Sequence, residues 1–293
     1  HMQSMFHYAN AFSAANKLLI RCAWAGISAF ASAGYGSSWG PGTCPSPPSP
    51  PPPSPSPPGT FTTKDALKMA VQAFNSDSVA AIAEYGPIAD WDVSAITDMS
   101  DLFDNLQDFD ADISSWDTSK VTTMRNMFQN ARAFNKPLSF DTSSVTDMLG
   151  MFHIASAFNQ PLNFDTSSVT SMWRMFLRAS VFNQPLSFDT SKVTEMLDMF
   201  AITGAFNQPL HFDTSKVTNM WHMFTSASAF NQPLSWDTSS VTETGRMYPY
   251  TGMKAMFSGA NSLSAANKLL IRCAWAGTSA FASAGYGSSW GPG

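Results

Sequence analysis

The chain has 293 residues, 44% of them apolar and 13% aromatic, enough to build a buried core. Charged residues make up only 13%, the net charge is −5, and no run of Lys or Arg occurs. A nucleic-acid partner is excluded on these grounds, because such binding needs clustered cations to displace counterions.

In chain order, the first segment carries an apolar stretch, Leu18 to Ala25, broken by Arg21 and repeated at Leu269 to Ala276, which is far short of the roughly 20 residues that cross a bilayer. No membrane insertion is expected. Residues 1–42 return almost letter for letter as residues 252–293, SAANKLLIRCAWAG included. Two copies of one cap flanking a single array imply about one period of a longer polymer. Residues 1–44 then read as the C-terminal cap of a preceding unit, closed by a Cys22–Cys44 disulfide. Cys273 is left without a partner because the counterpart of Cys44 does not follow it. The alternative is three free, buried thiols.

Residues 45–60 form a proline-rich linker, with ten prolines and four serines between Pro45 and Pro58. Such a segment is a polyproline II strut of roughly 40 Å. Pro47, Pro48, Pro50, Pro51, Pro52 and Pro53 resemble extensin-type sequence, which implies hydroxylation and O-glycosylation; an unmodified linker is the alternative. Residues 61–90 predict a helical N-terminal cap, Lys64 to Phe74 and Ser78 to Tyr85, started by Thr62 or Thr63 and ended at Gly86-Pro87.

Residues 91–262 are internally repetitive. The Asp of a [W/F]-D pair recurs at Asp92, Asp117, Asp141, Asp165, Asp189, Asp213 and Asp237, one step of 25 and five of 24. A fixed period of this size signals stacked coils. Within a coil, Pro161 to Asp165 alternates like a short strand, whereas Met172, Met175, Phe176 and Ala179 fall at i, i+3, i+4 and i+7, one helical face with Thr170 as N-cap. The expected fold is therefore a repeat solenoid of seven coils, leucine-rich-repeat-like, with a short parallel strand and a short helix per coil and helical caps at both ends. Residues 263–293 form the second cap.

Stacked coils would bring the Asp side chains about 4.8 Å apart, where like charges repel by roughly 1 kcal/mol. Each carboxylate of the ladder, Asp117, Asp141, Asp165, Asp189, Asp213 and Asp237, is expected to accept backbone N–H groups of the following Thr-Ser in an Asx-type turn. A column of divalent-cation sites is the alternative, with Asp108, Asp110 and Asp112 as further calcium candidates. Neither EF-hand Gly nor closing Glu accompanies them, and no other cofactor is indicated. Asn135, Asn159, Asn183, Asn207 and Asn231 read as a buried amide ladder. The Thr columns, Thr166, Thr190, Thr214 and Thr170, Thr194, Thr218, read as turn and cap chemistry, with ice binding as the alternative.

Candidate interface residues are Trp173 and Trp221, which recur beside the apolar face and for which the edge of the core is the alternative, and Arg246, Tyr248 and Tyr250 in an insertion of about nine residues in the last coil. His153 and His222 are expected as solvated surface residues. No nucleophile elbow, P-loop, dinucleotide fingerprint or histidine pair at metal spacing occurs, so the chain reads as non-enzymatic.

The motif FNQPLSFDTSKVTEMLDMF resembles the repeat of BspA-like leucine-rich-repeat surface proteins, also described as mycoplasma-type lipoprotein or listerial surface repeats of about 25 residues. The likeness covers residues 91–262. It implies a cell-surface or extracellular protein involved in adhesion. The linker and paired caps add a second expectation, a secreted tandem-repeat matrix polymer that self-associates into a filament. The alternative is an adhesin for glycan or protein ligands, with or without calcium.

Overall fold

A computed structural model describes residues 13–24, 59–242, 252–286 and 290. The chain divides into two compact units, His1–Pro55 and Ser56–Gly293. In the first, helix α1 (Ala14–Ala23) is N-capped by Ser13, whose hydroxyl accepts the Asn16 N–H.

The second unit opens with α2 (Lys64–Ser76), which runs two residues past the sequence pattern and is capped by Thr63, and α3 (Ser78–Tyr85), capped by Asp77. α2 buries Leu67, Ala70 and Val71 over the first coil. A 3₁₀ turn, Ile88–Asp90, follows, and its Ile88 carbonyl accepts from Trp116 Nε1 at 2.8 Å. The array ends in α4 (Ala265–Ala274) and α5 (Ser279–Ser283). No described helix is long and apolar enough to cross a membrane.

Between these ends the structure corrects the expected strand-plus-helix coil. The described residues contain no β-strand and no sheet, and their five α-helices lie outside the coils. The leucine-rich-repeat-like architecture is thereby overturned. Each coil is a succession of turns that touches its neighbours through single parallel bridges, Asp98↔Thr123, Thr123↔Asp147, Asp147↔Ser171, Ser171↔Glu195, Glu195↔Asn219 and Asn219↔Gly252.

The reason lies in the direction of alternate peptide groups. In the coil starting at Met148, the N–H groups of Gly150, Phe152 and Ile154 donate to the next coil, at the carbonyls of Trp173, Met175 and Leu177, 2.8–2.9 Å away. The residues between them donate three positions back: Met151 to Met148, His153 to Gly150 and Ala155 to Phe152. An α-helix would need every N–H to reach four positions back. Two residues per coil also sit in the left-handed region. The third-position column is Asp101, Asn126, Gly150, Arg174, Asp198, His222 and Ala255, and the seventh is Asn105, Asn130, Ile154, Arg178, Ile202, Ser226 and Gly259. Each such residue ends a turn and stops helix propagation.

The helical spacing of Met172, Met175, Phe176 and Ala179 nonetheless places all four in the core. Thr170 caps no helix. Its N–H and hydroxyl both donate to the Thr146 carbonyl, at 2.9 and 3.2 Å. The alternating Pro161–Asp165 segment keeps Leu162 and Phe164 buried without becoming a strand.

Two columns of phenylalanine fill the core. Phe128, Phe152, Phe176, Phe200, Phe224 and Phe257 stack at 5.6–5.7 Å between centroids. Phe109, Phe134, Phe158, Phe182, Phe206 and Phe230 stack at 5.9–6.3 Å. Within a coil the two columns meet at 4.1–4.2 Å. The spacings along each column fall in the range that offset aromatic pairs prefer, and those between the columns are slightly shorter.

Candidate interaction surface

The recurring polar side chains serve the stack itself. In each D-T-S turn the carboxylate accepts the N–H of the Ser two residues on: Asp117 from Ser119, Asp141 from Ser143, Asp165 from Ser167, Asp189 from Ser191, Asp213 from Ser215 and Asp237 from Ser239, all at 2.9–3.0 Å. Bonds from that Ser, hydroxyl first and then N–H, hold Asp117, Asp141, Asp165 and Asp237 below the usual carboxylate range. At Asp189 and Asp213 the N–H contributes more than the hydroxyl. Repulsion from Asp165 and Asp117 acts on Asp141 in the opposite sense and is weaker.

The next residue stitches coils together. Thr118, Thr142, Thr166 and Thr190 each donate a hydroxyl to the carbonyl of the following coil's Asp at 2.9 Å. The Asn column is a ladder of the same kind, half-buried where a buried one was expected. Asn159, Asn183, Asn207 and Asn231 each donate a backbone N–H to the Oδ1 of the preceding Asn, at 2.8–2.9 Å. The adjoining Gln Nε2 reaches that Asn's carbonyl and Oδ1 as well. Asp110 heads the column, accepting from the Asn135 N–H at 2.9 Å and pairing with Lys136 at 3.0 Å. Asp112 accepts from the Ser114 N–H at 2.9 Å. Among the described residues no group of three or more His, Cys, Asp or Glu is arranged to hold a metal ion.

One stripe departs from this uniformity. Along the second and third positions of the turn run, Trp173, Arg174, Leu197, Asp198, Trp221 and His222 follow one another over three coils. Asp198, 6% exposed, accepts from Arg174 Nε at 3.3 Å and lies 3.6 Å from His222 Nδ1. Burial pushes His222 below its ordinary value despite that carboxylate, so Arg174 is the charged partner of Asp198 at neutral pH. The Arg174 guanidinium lies over the Trp173 ring, 4.8 Å from its centroid. The His222 ring stacks on Trp221 at 3.3 Å and 16°. Trp173 Nε1 is enclosed without a hydrogen-bond partner.

The two candidate tryptophans are thus half-buried, each with one ring face covered by a charged or polar neighbour, and separated by the buried Leu197. Two histidine expectations need correction. His153 is half-buried against Gln129 Oε1, 3.1 Å from its Nδ1, and burial, then Arg174 and Arg178, pushes it down to about 4. His222 is likewise packed into the stripe. The sequence pattern does not single out Arg174 and Asp198; it shows only the left-handed bias of their column, where Asn, Asp, Gly and His recur at the array period, the residue types that best tolerate that backbone.

Arg246, Tyr248, Tyr250, the linker prolines and Cys44 lie outside the described residues. Cys22 is disulfide-bonded, whereas Cys273 is a free, exposed thiol. A cavity of about 460 Å³ opens where the last D-T-S turn meets the link from α4 to α5, lined by Trp236, Asp237, Thr238, Gly277 and Thr278.

A family model, DUF285, described as a Mycoplasma protein of unknown function, matches residues 65–187 and again residues 162–268. The two matches together take in more than half of the chain. The chain belongs to the DUF285 family. The DUF285 matches begin in α2 and end in α4, so they coincide with the stacked array and leave α1 and the linker outside. Their overlap at 162–187 is about one coil, as expected where each match spans several interchangeable coils. No curated protein and no solved structure matches the chain.

Proposed function

We propose that the protein is a non-enzymatic structural unit of a secreted surface or matrix polymer, self-associating through its caps and coil faces. The observation that carries this reading is the use of its polar side chains. Asp, Thr, Asn and Gln recur once per coil and are each committed to a bond that closes a turn or joins two coils, the chemistry of a scaffold. The disulfide at Cys22 supports an oxidising, extracellular setting. The likeness of the repeat to BspA-like surface proteins supports the same location, and an O-glycosylated proline linker would serve as a stiff spacer between arrays. Electron microscopy of the assembled material tests the reading: ordered fibres with an axial repeat are expected, and isolated flexible strings would refute it.

A second reading, an adhesin for glycan or protein ligands, is favoured by the stripe of Trp173, Arg174, Trp221 and His222, where the chain breaks its own repetition. Loss of ligand binding in Trp173→Ala and Trp221→Ala chains that melt like wild type would support it. Calcium-dependent melting would bring the Asp column into that reading.

A further inference from the structure

α4 closes the array by reproducing what an eighth coil would do. Along the stack, each repeat Asn N–H is held by the preceding Asn Oδ1 and each Gln Nε2 reaches the same Asn's carbonyl and Oδ1. At the end of the stack the Ser264 N–H takes the first role, 2.9 Å from Asn231 Oδ1. Asn267 Nδ2 takes the second, 2.8 Å from the Asn231 carbonyl and 2.9 Å from its Oδ1. Phe224 donates its N–H to the Met256 carbonyl of the next coil; Phe257, with no coil beyond it, donates to Tyr286 Oη at 2.9 Å. Trp275 Nε1 donates to the Trp236 carbonyl at 2.9 Å, and Ile271 and Trp275 are 0% and 1% exposed.

Every one of these groups exists twice. Ser13 to Gly26 repeats Ser264 to Gly277 letter for letter, and Tyr35 occupies in sequence the place of Tyr286. α1 and α4 are the same ten-residue helix with the same serine cap, 3.2 Å from hydroxyl to N–H in both. Their surroundings differ. Ile20 and Trp24 are only partly buried, whereas Ile271 and Trp275 are sealed against the terminal coil. Cys273 is exposed on the docked helix, so the disulfide at the matching Cys22 lies off the docking face.

We infer that residues 13–24 are a second cap with the same specificity, and that they dock on the Asn231–Trp236 end of a second copy of the chain when that copy's own α4 lifts away. Copies are thereby joined by exchange of caps. The exchange rests on the self-associating reading above and names its surface. It replaces one set of contacts by an identical set, so the balance is decided by chain concentration against the hold of the tethered α4.

The test uses the 293-residue chain and its size by analytical ultracentrifugation. Trp275→Ala weakens the tethered cap and leaves α1 intact, so its self-association constant should tighten by roughly a hundredfold over wild type. Trp24→Ala/Trp275→Ala should return to the monomer. A Trp275→Ala chain that associates no more strongly than wild type, or a double variant that associates as strongly as the single one, overturns the inference. The second outcome also covers a terminal coil that has simply unravelled, since such association would not need Trp24. Ordered fibres assembled from a Trp24→Ala chain would remove cap exchange and leave the structural-polymer reading standing.

Discussion

Replacing Asn183 by Ala removes one rung of the amide ladder and asks how much the rung contributes. The Asn183 Oδ1 accepts from the Asn207 N–H at 2.9 Å and from Gln208 Nε2 at 3.1 Å. Without it, a partly buried backbone N–H loses its acceptor, a loss of about 1–3 kcal/mol. Gln208 keeps its second bond, to the Asn183 carbonyl at 3.0 Å, so its share is smaller, about 0.5–1 kcal/mol. Asn183→Ala should therefore destabilise by about 1.5–4 kcal/mol. Asn183→Asp retains Oδ1, and the chain already uses Asp110 in this role at the head of the column, so its cost should stay below about 1 kcal/mol. Urea unfolding read as a shift of midpoint at constant slope measures both. Equal losses for the two variants, or a loss below about 0.5 kcal/mol for Asn183→Ala, would show that the ladder does not hold adjacent coils.

Phe176→Ala empties a fully buried site whose ring lies 5.7, 4.2 and 5.6 Å from those of Phe152, Phe182 and Phe200; a loss of about 3–5 kcal/mol is expected in the same assay. Gly150→Ala places a Cβ against Asn126 Oδ1 at φ +61°; a cost of about 1–2 kcal/mol should be partly recovered by adding Asn126→Ala in a double-mutant cycle. The D-T-S carboxylates have lowered folded values and so bind fewer protons folded than unfolded. Their contribution is present above about pH 4 and lost as pH falls through those values, so the melting temperature should drop steeply only in acid. His153, pushed down to about 4, is protonated first in the unfolded chain. Stability should decline from about pH 6.5 towards 4, by on the order of 1 kcal/mol allowing for its partial exposure, and His153→Gln should flatten the pH profile in that window.

The period and the membership of the core were legible because burial follows side-chain spacing whatever the backbone does. Met172, Met175, Phe176 and Ala179 sit inside for the reason the pattern gives, yet the pattern cannot distinguish a helix from linked turns that present the same four side chains. The distinction lies in the peptide groups. Arg174 and Arg178 sit at φ 58° and 61°, positions that residue type alone does not announce. Only the column as a whole, Asp101, Asn126, Gly150, Asp198 and His222, carries the left-handed signal. The Asn and Asp columns were readable because both residues have short acceptors whose local bonding options are few. The Arg174–Asp198–His222 grouping was not, since its members belong to three different coils and no single repeat contains the pair.

The same geometry explains why the array can extend without strands. Left-handed residues at the third and seventh positions carry strain of about 1–2 kcal/mol each when they are not glycine. They also turn their N–H groups along the stack: Arg174 bonds the Leu197 carbonyl and Arg178 the Ala201 carbonyl, both at 2.9 Å. That strain can be offset only while a neighbouring coil supplies the acceptor. A lone coil would keep the strain and lose the bonds, so its stability depends on what lies above it. At the last coil the Phe257 N–H donates to Tyr286 Oη, and Ser264 and Asn267 donate to Asn231, so the cap supplies an acceptor and donors that a following coil would otherwise provide. A chain with a second set of those groups in its first unit therefore has what is needed to close the end of another copy.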